Sequence, residues 1–120
     1  MGRSLGSAVS LELATRHPSA GLILEAPFLT AFKVISRVKL LPFDKFNNES
    51  KIRDYHGPLL VIQGQADNLV PPSQGRRIFE MASGPKQCLW IAGAHHNDVL
   101  FTAPQKYISA MQDFAATLKR

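Results

Sequence analysis

The stretch Leu59-Leu60-Val61-Ile62-Gln63-Gly64-Gln65-Ala66-Asp67 carries most of the information about the fold. Its first four residues are apolar on both faces of an extended chain and too few for a helix, which is typical of a strand buried between two layers of helices. The glycine-containing segment that follows ends the strand and puts a carboxylate, Asp67, into the loop directly after it. We therefore expect a parallel sheet with a polar residue at the carboxyl end of one strand.

Two further apolar runs of the same kind lie on either side, at Gly21-Leu22-Ile23-Leu24 and at Cys88-Leu89-Trp90-Ile91. Segments with helical periodicity alternate with the three runs. They are Leu5–His17, Ser73–Ala82 and the segment after Pro104 in which Tyr107, Met111, Phe114 and Leu118 recur. Alternating strands and helices predict an α/β fold with three parallel strands flanked by helices.

The composition fits one globular domain spanning residues 1–120. Hydrophobic residues make up 45% of the 120-residue chain and charged residues 19%, a balance that argues against disorder and disulfide scaffolds. The net charge of +5 permits attraction to anionic surfaces, but no nucleic-acid module or aromatic platform accompanies it, so we expect no nucleic-acid partner.

Localisation is predicted from cysteine usage and apolar run length. A single cysteine, Cys88, cannot form an internal disulfide, and its place in a strand predicts that it packs as a small hydrophobic residue. No apolar run approaches the roughly 18 residues of a membrane span, and no secretory leader follows Met1. We expect a cytoplasmic protein.

The segment Gly2-Arg3-Ser4-Leu5-Gly6 matches the pattern G-x-S-x-G directly before a helix. In that pattern the serine occupies a strained turn between a strand and a helix, and the flanking glycines avoid Cβ clashes. The Ser4 hydroxyl would then stand at a helix N-terminus, where the Leu5 N–H can help to bind an oxyanion.

A second and a third polar loop follow two of the predicted strands. Asp67 lies in the first, and His95 and His96 lie in Ala92–Asp98, after the next strand. Because the carboxyl ends of parallel strands face one crevice, Ser4, Asp67 and His96 are predicted to share one edge of the sheet. Their order along the chain, Ser then Asp then His, is one of the known orders of a hydrolytic triad.

These motifs resemble the α/β-hydrolase superfamily, and within it the branch of membrane-associated serine hydrolases that act on fatty-acyl esters and thioesters. The matching segments are residues 2–8, 22–28, 59–71 and 93–99. The resemblance implies that Ser4 is the nucleophile, Asp67 the orienting acid and His96 the general base, with no cofactor and no metal.

The sequence departs from the family pattern in three places. His95 stands where the family usually has glycine, and Gln63-Gly64 stands where it usually has His-Gly. The chain also opens at the nucleophile turn, so the resemblance implies a partial fold. In that fold the N-terminal strands are absent, including the strand before Ser4 and the loop with the second oxyanion N–H. We therefore expect the isolated chain to be inactive and to self-associate through the open edge at Gly21–Leu24.

Several residues offer alternative roles. His95 could replace His96 as the base, although the register of the resemblance favours His96. Glu25, which ends the first run, is a rival acid, as some hydrolases of this fold place the carboxylate there; a structural hydrogen bond is the other interpretation. A metal held by His95, His96 and Asp98 matches no standard zinc spacing, and Asp98 suits a loop or cap role.

Residues 28–54 are rich in Phe, Leu and Val, which predicts a lid or pocket wall. Candidate pocket residues are Phe28, Phe32, Leu41 and Phe43. The apolar part favours an acyl chain over a sugar or a peptide as the bound group. Lys33, Arg37 and Lys39 could meet a membrane surface or an anionic substrate, or form the solvated face of an amphipathic helix.

The sequence thus predicts a serine hydrolase acting on small-molecule acyl esters or thioesters through an acyl-enzyme intermediate. The competing hypothesis is a truncated, non-catalytic hydrolase fragment that serves as a binding or assembly module.

Overall fold

The computed structural model of the protein describes residues 1–3, 6–17, 20–27, 48–67, 72–96 and 98–118. The strands are β1 (Gly2–Arg3), β2 (Leu22–Glu25), β3 (Leu59–Gly64) and β4 (Lys86–Ile91). The helices are α1 (Gly6–Arg16), α2 (Asn48–Asp54), α3 (Pro72–Met81), α4 (Val99–Thr102) and α5 (Pro104–Thr117).

The strands form one parallel sheet in the order β1-β2-β3-β4. β3 pairs with β4 from Leu59↔Lys86 to Gly64↔Ile91, and β2 pairs with β3 over four residues. The three predicted parallel strands are therefore confirmed, and their carboxyl ends meet at one edge of the sheet.

The expectation that no part of the strand before Ser4 is present is wrong for its last two residues. Gly2 and Arg3 form β1, which pairs with Leu24 and Glu25 of β2. Two residues are too few to show a periodicity, so the sequence gives no sign of this strand. As a result, β2 lies inside the sheet at its carboxyl end.

The core lies on both faces of β3, in which all six residues are buried. Leu59 and Val61 pack on one side with buried residues of α1, α2 and α3, and Leu60 and Ile62 pack on the other side with buried residues of α4 and α5. This alternation follows from the two-residue period of a strand. Helices therefore flank both faces of the sheet, as predicted.

The last helix follows the predicted pattern closely. Pro104 occupies its first turn, Phe114 is buried, and Tyr107 and Met111 pack against the same core cluster. Proline suits the first turn because no intrahelical bond requires its missing N–H. No helix in the part of the chain that the structure describes is long and apolar enough to cross a membrane.

Cys88 is an exception to the prediction of buried strands, because it is exposed rather than packed as a small hydrophobic residue. β4 has a neighbouring strand on one side only among the described residues, and its first and third residues, Lys86 and Cys88, are exposed. Burial at the edge of a sheet depends on what lies over it, which an apolar run alone does not reveal.

The predicted lid or pocket wall at 28–54 is described only in part. The candidate pocket residues Phe28, Phe32, Leu41 and Phe43 lie outside the described residues, as does the basic group of Lys33, Arg37 and Lys39. Residues 48–54 form α2, which packs against α1 and α3 with Ile52 fully buried. That helix belongs to the layer covering the sheet, and the lid stays a prediction for residues 28–47.

Candidate active site

The loop after β3 carries Asp67, whose side chain is fully buried. Three backbone hydrogen bonds hold this turn in place. Gln65 N–H donates to the Ile91 carbonyl at 2.9 Å, Ala66 N–H to the Ala94 carbonyl at 2.9 Å, and Asp67 N–H to the Gly64 carbonyl at 3.4 Å. The first two bonds join the acid loop to the end of β4 and to the loop that follows it, and the third closes the turn on itself.

Gly64 allows the two loops to approach this closely. A Cβ atom at position 64 would lie 2.4 Å from the Ala94 carbonyl oxygen and 2.8 Å from its carbon. Atoms that are not bonded to each other do not approach this closely, so a side chain at position 64 would force the two loops apart. The glycine of the Gln63-Gly64 pair is thus explained by the docking of the two loops.

His96 lies in the loop after β4 and faces Asp67. Its Nδ1 is 2.8 Å from Asp67 Oδ2, and its side chain is 12% exposed. Because an ionised carboxylate can only accept, the hydrogen belongs to Nδ1, and Nε2 of a neutral imidazole is then left as an acceptor. This is the tautomer that a general base needs.

The neighbouring histidine is oriented differently. The His95 N–H donates to Asp98 Oδ1, and His95 Nδ1 lies 3.4 Å from Asp98 Oδ2, with the His95 side chain 58% exposed. Of the two candidate bases, the structure therefore brings His96 and not His95 to Asp67. Asp98 closes the loop, and no group of three or more metal-binding side chains occurs in the described part of the chain.

Glu25, the rival acid, is buried at the end of β2 and accepts a 2.6 Å hydrogen bond from the Tyr107 hydroxyl. Tyr107 appeared in the sequence only as part of an apolar helical stripe. Its hydroxyl tip reaches a residue 82 positions away in the chain, a contact that no local pattern signals. The next residue, Ala26, is buried with φ 51°, a rare conformation for a non-glycine residue.

Ser4 and Leu5 lie outside the described residues. Ser4 directly follows β1 in the sequence, and the last residue of that strand, Arg3, pairs with Glu25 at the same edge of the sheet that carries the Asp67 and His96 loops.

Gln63, the residue before Gly64, was noted in the sequence only as a departure from the family pattern. It is fully buried, and its side-chain nitrogen donates to Asp67 Oδ2 at 3.1 Å. An amide directly after the apolar run Leu59–Ile62 was the signal that could have identified it.

A cavity of about 360 Å³ lies elsewhere, beside α1 and the start of β2. Its lining includes Leu13, His17 and Leu22 and none of the candidate site residues, so it is not a pocket for the group that would meet Asp67 and His96.

The chain is similar in sequence to curated proteins named as alpha/beta hydrolases. The chain is 35% identical over 117 residues to alpha/beta hydrolase domain-containing protein 17B of Xenopus laevis, covering 96% of this chain and 40% of that protein. It is 34% identical to the human protein of the same name, again over 40% of its length. The chain therefore spans about two fifths of these relatives. No family model matches it.

Among solved structures, the chain is similar to the esterase domain of a Rhodothermus marinus protein. The TM-score is 0.76 with 21% sequence identity, over 98% of this chain and 58% of that one. At this identity the likeness shows the fold alone. Nearly all of the chain is matched by about three fifths of the larger domain, as expected for a partial fold. Together with the curated relatives, the parallel sheet and its flanking helices show that the chain has part of an α/β-hydrolase fold.

Proposed function

We propose that the full-length protein is a serine hydrolase in which Ser4 is the nucleophile, His96 the general base and Asp67 the orienting acid. The observation that carries the proposal is the 2.8 Å contact between His96 Nδ1 and the buried Asp67 carboxylate. Both residues follow neighbouring parallel strands, at the edge where open α/β sheets bind their ligands.

In the proposed reaction, His96 Nε2 removes the Ser4 Oγ proton while Oγ attacks the acyl carbonyl carbon. The tetrahedral intermediate collapses to an acyl-Ser4 ester, and the alcohol or thiol leaves with the proton that His96 returns. Water, deprotonated by His96, then attacks the ester, releasing the acid and restoring the Ser4 hydroxyl. Asp67 keeps its proton state throughout and stabilises the imidazolium. The Leu5 N–H serves as one oxyanion donor.

The proposed substrates are small acyl esters or thioesters. Support comes from the apolar composition of residues 28–46, in which Phe28, Phe32, Leu41 and Phe43 are the proposed pocket residues. The same segment, as a lid carrying Lys33, Arg37 and Lys39, is the proposed contact with an anionic membrane surface of an otherwise cytoplasmic protein.

A fluorophosphonate probe tests the nucleophile. We expect the full-length protein to be labelled and the Ser4→Ala variant not to be. Ser7→Ala is the matched control, because it removes the next serine hydroxyl along the sequence, and its labelling should match the parent protein. Labelling that survives Ser4→Ala would place the nucleophile elsewhere.

The second candidate, a non-catalytic binding or assembly module, is favoured by the share of its relatives that the chain spans, about 40%. Absence of labelling and of ester hydrolysis in the full-length protein, with the fold intact, would support the module and exclude the hydrolase.

A further inference from the structure

Gln63 carries a buried amide in a strand of otherwise apolar residues and glycine. Its Nε2 lies 3.1 Å from Asp67 Oδ2 and 3.1 Å from the Gly64 carbonyl oxygen. Both neighbours are acceptors, so only the NH₂ end of the amide can face them, and this fixes its orientation. Gln63 therefore donates to the same carboxylate oxygen that contacts His96 Nδ1.

The oxygen end of the amide lacks the hydrogen bond that the nitrogen end has. Gln63 Oε1 is buried and has no hydrogen-bond partner among the described residues. It packs over Gly75 of α3, where an added Cβ would lie 3.0 Å from it. A buried oxygen without a partner is unfavourable, and an apolar side chain of similar size would avoid it. Packing alone thus does not explain an amide at this position.

Gln63 supplies two hydrogen-bond donors to the acid loop, which an apolar residue cannot do. One donor binds the carbonyl at the start of the turn, on Gly64, and the other binds the carboxylate at its end, on Asp67. The amide thereby spans the turn and restricts rotation of the Asp67 side chain. Since His96 is oriented by that carboxylate, the restraint extends to the imidazole.

We propose that Gln63 is a positioning residue that holds Asp67, and through it His96, in the geometry required for general-base catalysis. The proposal rests on the proposed function of Ser4, Asp67 and His96. Gln63 supplies two hydrogen bonds here. The histidine that the family usually has at this position could supply only one from a neutral ring.

Three variants of the full-length protein test the proposal. Gln63→Met removes both donors and the unpaired oxygen, Gln63→His retains one donor, and Gly75→Ala crowds Oε1 without changing any polar group. The readouts are kcat and KM for p-nitrophenyl butyrate, the Tm, and the NMR signal of the His96 Nδ1 proton.

For Gln63→Met we expect kcat to fall about tenfold or more with KM nearly unchanged, because a small displacement of catalytic groups costs rate rather than binding. The His96 Nδ1 proton signal should shift or broaden, while the Tm stays the same or rises. Gln63→His should retain most of kcat. The kcat of Gly75→Ala should lie between the values for Gln63→His and Gln63→Met.

Wild-type kcat and an unchanged His96 signal in Gln63→Met would overturn the proposal. A lower Tm with normal kcat per folded molecule would also overturn it, because the amide would then be purely structural. If activity survives Ser4→Ala, the proposed function fails instead. The His96 signal still tests Gln63 in that case, because it reports the contact with Asp67 directly.

Discussion

Substituting Gly64 by alanine tests how the acid and the base are brought together. The new Cβ would lie 2.4 Å from the Ala94 carbonyl oxygen, and real Cβ atoms essentially never approach below 3.0 Å, so the loops must separate by at least the difference, 0.6 Å. If the shift reaches His96, its 2.8 Å contact with Asp67 lengthens to about 3.4 Å, beyond the range of a good N–H···O hydrogen bond.

The expected loss follows from that displacement. A misplacement of about 1 Å costs roughly a hundredfold in rate, so a shift of this size should lower kcat/KM about 10- to 100-fold, or roughly 1.4–2.7 kcal/mol. Weakening the Ala66 N–H bond to the Ala94 carbonyl, now 2.9 Å long, should also lower the free energy of unfolding by about 1 kcal/mol.

The assay is hydrolysis of p-nitrophenyl butyrate by the full-length protein, with the urea midpoint measured in parallel. Gly21→Ala is the matched control, because a Cβ there meets the flexible ends of Leu118 and the ring of Phe114 at 3.0–3.1 Å instead of backbone. Its kcat/KM should stay near the parent value. A Gly64→Ala variant with unchanged kcat/KM would refute the idea that this close approach sets the acid–base geometry.

His96→Ala should abolish ester hydrolysis while His95→Ala leaves most of kcat/KM, and Asp67→Asn should cost about ten-thousandfold, as expected when the wrong tautomer is favoured. Equal losses at the two histidines would show that the loop register is wrong. Tyr107→Phe, which removes the donor to buried Glu25, should lower the free energy of unfolding by about 1–3 kcal/mol in urea titration, and no loss would mean that solvent replaces the hydroxyl. The 120-residue chain alone should self-associate in light scattering, because β1 pairs with only two of the four residues of β2; a monodisperse monomer would contradict this.

The sheet was predictable because strands buried on both faces are apolar at every position, as in Leu59–Ile62. The strand β1 was not predictable, because two residues are too few to show a periodic pattern. The exposure of Cys88 was not predictable either, because it depends on what packs beside an edge strand. The sequence pattern of a strand reflects its own side chains. It does not show whether the strand lies at the centre or at the edge of the sheet.

The same distinction applies to the site. The contact of Asp67 with His96 was predictable because both positions sit at fixed offsets from strand ends, so topology alone brings them to one edge. The hydrogen bonds from Gln63 and Tyr107 were not, because each depends on where one side-chain tip lies after the helices have packed. The proposed catalytic residues could thus be found from motifs, whereas the hydrogen bonds of Gln63 and Tyr107 depend on packing.

The strand pairings also divide the proposed machinery into two parts. Asp67 and His96 follow β3 and β4, which pair over six residues, and the Ala66 N–H donates a further bond to the Ala94 carbonyl between their loops. The strand β1, directly before Ser4, pairs over only two residues. The acid–base pair therefore depends on the best-paired part of the sheet and not on the nucleophile turn. It follows that the His96 Nδ1 proton signal should persist in Ser4→Ala and disappear in Asp67→Asn. Loss of the signal in Ser4→Ala would mean instead that the serine helps to assemble the pair.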